Sequence, residues 1–405
     1  MILRKRIIYG WMCALLLTGC TQKEETDILP DSEKTIAIAF DCAIDNNSTR
    51  AANGYTGNIT KENHQLRYTG FGVFMAQTSG SAPNIMYNQE VEYTFFADGS
   101  ANGYWTYSPL KYWPADPVGV CIYGYAPYVP TPGTLASGTT GIVGMSPNNE
   151  SGPYILYARA KHPEEHVDLL WGNYTVTETS DILKDADGTL RPRPSRAIPL
   201  TMNHALARVS LSLGITNGED NTKLPATSRL LVKRVTLTGN FAKTGKLDLT
   251  GTTTNGSGKR IPTWFDQALP TNADPSSARI VFIDNDPETN TASYGIITEA
   301  IRYIPDLPYQ WQPAGMDHVN YDATDATTKA ATSTNLLCMG DAPSYLYLIP
   351  QADLSITCVI DYCIIAADGT LTDYHKTTSS SATPTHITPL NGNTTYDVTF
   401  TITLE

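Results

Sequence analysis

Residues 35–44 alternate with a period of two. Ile36, Ile38, Phe40, Cys42 and Ile44 fall on one face, and Ala37, Ala39, Asp41 and Ala43 on the other. That period fits a half-buried β-strand and no helix. The same alternation returns at residues 395–404, where Tyr396, Val398, Phe400, Ile402 and Leu404 are separated by Asp397, Thr399, Thr401 and Thr403. Each segment must turn one face into a core, and a one-residue slip would expose that whole face.

Between them, strand patterns recur at residues 66–76, 90–96, 118–125, 154–158, 167–171, 209–215, 230–238, 280–283, 293–304, 345–350 and 355–366. Turn signals separate them, among them Asp98-Gly99, Pro130-Thr131-Pro132-Gly133, Asn148-Asn149 and Asp368-Gly369. No heptad or solenoid period is visible. Residues 305–343 are strand-poor and read as a surface excursion. The 23 Tyr, 26 Pro and 30 Gly of this 405-residue chain suit short strands joined by turns. The pattern predicts an all-β protein of two tandem Greek-key β-sandwich domains. Arg191-Pro192-Arg193-Pro194-Ser195-Arg196 is the natural boundary, being too Pro-rich to join a sheet. The predicted domains are therefore residues 35–194 and 195–405.

Residues 1–19 read as a signal peptide. Arg4-Lys5-Arg6 is a basic start, and residues 7–18 are apolar but too short to span a bilayer. They end in Leu17-Thr18-Gly19-Cys20, which looks like a bacterial lipobox, so Cys20 is the candidate lipid attachment point. Acyl chains there, palmitate among them, would anchor the chain to the outer-membrane lipid. Residues 20–34 read as a flexible tether. The formal net charge is −12, and without residues 1–19, which carry three basic residues and no acid, it is −15. Such a chain repels nucleic acid, so no nucleic-acid partner is expected.

Cys42, Cys121, Cys338, Cys358 and Cys363 are odd in number, and Cys121 and Cys358 lie in apolar, strand-like runs, which suits buried fillers better than a disulfide framework or metal site. His162-Pro163-Glu164-Glu165-His166 matches a zinc-peptidase pattern in letters. The chemistry needs both imidazoles on one helical face, and Pro163 plus a following strand deny that helix. Gly256-Ser257-Gly258-Lys259 lacks the spacing and context of a phosphate loop. The loops at Asp185-Ala186-Asp187-Gly188 and Asp284-Asn285-Asp286 lack a full calcium ligand set. No catalytic residue, metal or cofactor is predicted, and the chain reads as a non-enzyme. The aromatic cluster Tyr104, Trp105, Tyr107, Tyr112, Trp113, Tyr123, Tyr125 and Tyr128 reads either as sandwich core or as a glycan-stacking platform.

A series of blocks runs along the chain: the lipobox, Ser48-Thr49-Arg50-Ala51, residues 66–74, Lys111-Tyr112-Trp113-Pro114, and Val167-Asp168-Leu169-Leu170-Trp171-Gly172. Asn203-His204-Ala205-Leu206-Ala207-Arg208-Val209, residues 345–351 and Asn391-Gly392-Asn393-Thr394-Thr395-Tyr396 complete it. Taken in order, these blocks resemble the fimbrillin-like (Mfa-like) subunits of type V pili of Bacteroidota. Thr21-Gln22-Lys23-Glu24-Glu25 looks like the acidic export signal of surface lipoproteins in that phylum.

The resemblance implies two transthyretin-like domains and export as a lipoprotein to the outer-membrane surface and the fimbrium. It also implies cleavage by an arginine-specific protease, here between Arg50 and Ala51. The strand carrying Ile36, Ile38, Phe40, Cys42 and Ile44 would then be displaced. The donor strand of another pilus subunit, carrying Tyr396, Val398, Phe400, Ile402 and Leu404, would fill the groove and build a fibre that supports adhesion. The alternative is an uncleaved outer-membrane lipoprotein that binds glycans or anchors the pilus.

Overall fold

The computed structural model describes residues 36–45, 65–77, 85–100, 102–130, 140–148, 152–160, 166–192, 194–216, 229–270, 279–284, 301–303, 334–336, 338–339, 342–343, 345–365, 375–378 and 385–403. Cys20, Arg50, Ala51, His162 and Leu404 lie outside them, as does the predicted turn at Asp368-Gly369.

Strands are numbered in chain order. The largest sheet has seven: β1 (Phe40–Ile44), β2 (Phe71–Gln77), β3 (Met86–Phe95), β4 (Gly103–Thr106), β5 (Val120–Ala126), β8 (Leu170–Thr175) and β9 (Ile198–His204). Their spatial order is β1-β9-β8-β5-β2-β3-β4. A second sheet joins β6 (Gly141–Met145) and β7 (Tyr154–Ala158) to β12 (Thr244–Asp248) and β13 (Thr263–Ala268), in the order β13-β12-β7-β6. By their ladders, β9, β12 and β13 lie with strands that precede residue 194.

A third sheet is built on β10 (Ala207–Thr216), which pairs with β16 (Thr334–Leu336), β19 (Tyr345–Leu348) and β23 (Thr395–Thr403). The fourth is built on β11 (Arg229–Gly239) and β20 (Leu354–Ile365), with β14 (Arg279–Asp284), β15 (Ile301–Tyr303), β21 (His375–Thr378) and β22 (Thr385–Ile387). β17 (Cys338–Met339) and β18 (Ala342–Pro343) form a small ladder within the predicted strand-poor stretch. By contacts, residues 36–405 hold together as one unit.

Alternation along the seven-stranded sheet sorts its side chains into two cores. Phe71, Val73 and Met75 of β2, Val120 and Ile122 of β5, and Leu170 of β8 share one core with Ile38, Phe40, Cys42, Ile198, Leu200 and Met202. Phe74, Tyr125 and Trp171, on the opposite face, pack with Ile155, Tyr157, Leu247, Leu249, Tyr347 and Ile349. The chain is all-β as expected, with one local correction. Residues 66–69, read as the start of a strand, lie in the short helix α1 (Gln65–Thr69). Gly70 donates its N–H to Leu66 O at 3.0 Å and takes φ +63°, the left-handed geometry that ends helices, and β2 starts one residue later.

Candidate functional site

The segment at residues 36–45 is wedged between two neighbours. β1 runs parallel to β9 in the register Phe40↔Ile198, Cys42↔Leu200 and Ile44↔Met202. Ile198 N donates to Ala39 O at 2.8 Å, and Asp45 N donates to Met202 O at 2.8 Å. The preceding residues bond to a different stretch of chain. Ile38 N donates to Lys111 O at 2.9 Å, Trp113 N donates to Ile36 O at 3.0 Å, and the Tyr107 hydroxyl donates to Ile38 O at 2.8 Å. An antiparallel bridge joins Ala37 to Tyr112. Residues 36–45 thus close the seam between β9 and the loop after β4.

Their side chains fill that seam. Ile38, Phe40 and Cys42 are 2%, 6% and 9% exposed, while Ala39, Asp41 and Ala43 face outward. The Phe40 ring meets Phe71 edge-on at 5.8 Å and Tyr107 at 5.7 Å. Burial, reinforced by the charge of Asp41, pushes the Cys42 thiol pKa well above its ordinary value. Ile36 and Ile44 pack partly buried at the two ends. Fully burying side chains of this size is worth about 1.5–3 kcal/mol each.

β23 is also an edge strand. Among the described residues its ladder is to β10 alone, parallel, from Arg208↔Thr395 to Thr216↔Thr403. Val398 and Phe400 are buried, Tyr396 is half-buried and Asp397 is exposed. Ile402 pairs with Ile215 further along the same ladder.

The root of this strand is fastened tightly. Asn393 N donates to Leu206 O at 3.1 Å and Arg208 N to Thr394 O at 2.9 Å. The Asn393 side chain donates to Arg260 O at 3.0 Å. Arg260 in turn stacks over Trp171 at 5.0 Å and donates to Asn173 Oδ1 at 2.9 Å. A Cβ on Gly392 would lie 2.6 Å from Ala205 O, so only glycine fits there.

Only Ala205 and Leu206 separate β9 from β10. Met202 O bonds the end of β1, and Leu206 O and Arg208 N bond the root of β23. The chain bends at Leu206 and passes from the seven-stranded sheet into the third sheet, so the seat of β1 on β9 ends four residues before the root of β23 begins. Sequence reasoning found both strands but not that they sit on consecutive stretches of one chain segment.

Two buried histidines were also missed as structural elements. His204 Nδ1 and Asp168 Oδ2 are 2.5 Å apart with both side chains buried, which ties β9 to the segment leading into β8. His166 Nδ1 accepts the Tyr347 N–H at 3.0 Å, so its Nε2 carries the proton and donates to Ala160 O at 3.1 Å. Both ring nitrogens are thereby committed. The described residues hold no cluster of three or more His, Cys, Asp or Glu suited to a metal ion. The aromatic cluster divides: Tyr107, Trp113 and Tyr125 are buried, Trp105, Tyr123 and Tyr128 are half-buried, and Tyr104 and Tyr112 are exposed. Cys42, Cys121 and Cys358 are free and buried.

A family model described as fimbrillin-like matches residues 49–405. Fimbrium subunit Fim1C of Phocaeicola vulgatus is 27% identical over 168 residues, 39% of this chain and 39% of that protein. The chain thus matches about two fifths of the length of that curated relative. A crystal structure of a fimbrial protein from Bacteroides vulgatus covers 92% of this chain and 98% of its own, with 15% identity and a TM-score of 0.47. One described as a cell adhesion protein of Bacteroides uniformis covers 91% and 94%, with 11% identity and a TM-score of 0.38. With the match running over most of its length, the chain belongs to the fimbrillin-like family.

Proposed function

We propose that this protein is a structural subunit of a cell-surface fimbria, assembled by strand exchange and supporting adhesion. The observation that carries this reading is the seam at residues 36–45: a sheet-edge segment, bonded to residues 111–113 at its start and to β9 along the rest, whose inward residues complete a core. Export would follow the signal at residues 1–19, with lipid on Cys20 holding the chain at the outer membrane. Cleavage between Arg50 and Ala51 would free the segment carrying Ile36, Ile38, Phe40, Cys42 and Ile44. The slot left behind would expose Phe71, Tyr107 and Leu200 along with the open edge of β9.

A neighbouring subunit's tail suits that slot, because Tyr396, Val398, Phe400, Ile402 and Leu404 repeat the inward pattern. Among the described residues the tail's ladder is to β10 alone, whereas the slot bonds its strand from residues 111–113 and then from β9. These two partners and the exposed core favour transfer. The Asp168–His204 pair and the commitments of His166 are structural in this reading, and no catalytic role is assigned.

The test is treatment of the purified protein with an arginine-specific protease, followed by N-terminal sequencing and electrophoresis without heating. Ala51 at the new N-terminus together with an SDS-resistant ladder supports the proposal. Trimmed monomer without a ladder refutes assembly by this route, and intact monomer refutes it in favour of an uncleaved anchor lipoprotein.

A further inference from the structure

The seat of β1 on β9, and the tail root bonded four residues further along, fix how a second copy's tail must lie, and this step rests on the strand-exchange reading above. We infer that the incoming tail enters parallel to β9 with Phe400 at the position of Phe40, Val398 at that of Ile38 and Ile402 at that of Cys42. The acceptor's own tail root is bonded four residues beyond Met202, at Leu206.

Three observations carry this. First, direction: β1 lies parallel to β9, its ends bonded at Ile198 N and Met202 O, and β23 already runs the same way along β10. Second, the pocket at Phe40 is aromatic on two sides, with Phe71 at 87° and Tyr107 at 68° to the ring. Moving the tail by two residues either way puts Val398 or Ile402 there and forfeits both ring contacts. Third, the downstream end is blocked. Placing Tyr396 at Phe40 would push Ile402 and Leu404 past Met202, into the place where Asn393 is bonded to Leu206 O. Asn393 is itself held to Arg260 O. The root acts as a stop, and the slot accepts one register.

The outward residues of the tail then take the positions of Ala39, Asp41 and Ala43, with Thr403 at Ala43. Ala43 pairs with Thr201, and both face solvent. The tail could instead swap into the neighbour's β10, in which case Thr403 would pair with Thr216 as it does within one chain.

The experiment uses pairs of cysteines in the full chain, oxidised after trimming with an arginine-specific protease and run on heated, non-reducing gels. Ala43→Cys/Thr201→Cys, left untrimmed, calibrates the geometry by forming an intrachain link. Thr201→Cys/Thr403→Cys is expected to convert the ladder into disulfide-linked oligomers that collapse to monomer on reduction. Thr201→Cys/Thr401→Cys is expected to link at least tenfold less. Interchain linkage through 201 and 401, or through Thr216→Cys/Thr403→Cys, overturns the register while the fibre reading stands. A trimmed protein that gives no ladder, even before oxidation, overturns both.

Discussion

Replacing Phe40 with Ala should loosen residues 36–45 without unfolding the protein. The ring is 6% exposed and is packed on Phe71 and Tyr107. Truncating a buried Phe costs about 3–5 kcal/mol. β1 lies at a sheet edge, so the pocket can partly collapse, and the lower part of that range applies. At 1.36 kcal/mol per decade, the undocked population of the segment should rise about 10²- to 10³-fold. Cys42, two residues along on the same face, reports it directly, because its thiol reacts with an alkylating agent only when the strand leaves. Peptide-resolved mass spectrometry would follow Cys42, with Cys358 in β20 as the internal reference. The variant should alkylate Cys42 faster by that factor and Cys358 at the wild-type rate. Equal acceleration of both thiols would mean that the seam opens only with global unfolding, and the reasoning would fail.

The Cys42 thiol also predicts a pH dependence. Its pKa in the docked strand lies above the value of 9.0 for a free thiol, so the stability gained by burying it is complete below pH 9 and fades above it. Alkylation of Cys42 should therefore keep climbing about tenfold per pH unit beyond 9, where a free thiol levels off; a plateau at pH 9 would contradict this. Gly392→Ala, which brings a Cβ to 2.6 Å from Ala205 O, should destabilise the tail root by about 1–3 kcal/mol, read as faster hydrogen exchange along β23. Asp168→Ala and His204→Ala should each cost about 1–3 kcal/mol in denaturant unfolding, because each removes this hydrogen bond from the other buried side chain. The double variant should cost clearly less than the sum, and simple additivity would show that the two side chains do not act together.

The two terminal strands were legible because period-two alternation is local, and Ile38, Phe40, Val398 and Phe400 are buried where that alternation puts them. The long strands β11 and β20 were legible for the same reason. β9 was not. Pro199 interrupts its pattern and it follows a Pro-rich stretch, yet the strand forms because the missing N–H faces the side that β8 reaches only at Asn203 and His204. The helical turn at residues 66–69 was hidden because Leu66 serves the core equally well from a helix, and Gly70 decides the matter through its backbone. Parallel pairing across more than 150 residues, β1 on β9 and β23 on β10, has no local signature at all. Asp168 and His204 were visible as ionisable residues inside apolar runs, and that contrast is the signal that could have paired them.

A synthetic peptide spanning residues 395–405 tests most directly whether one copy's tail can refill another's emptied seam. Added in excess during trimming, it should bind one per chain and hold the product as capped monomer, while a peptide with Phe400→Asp leaves the ladder unchanged. Equal binding to untrimmed protein, or a full ladder in saturating peptide, would contradict the account.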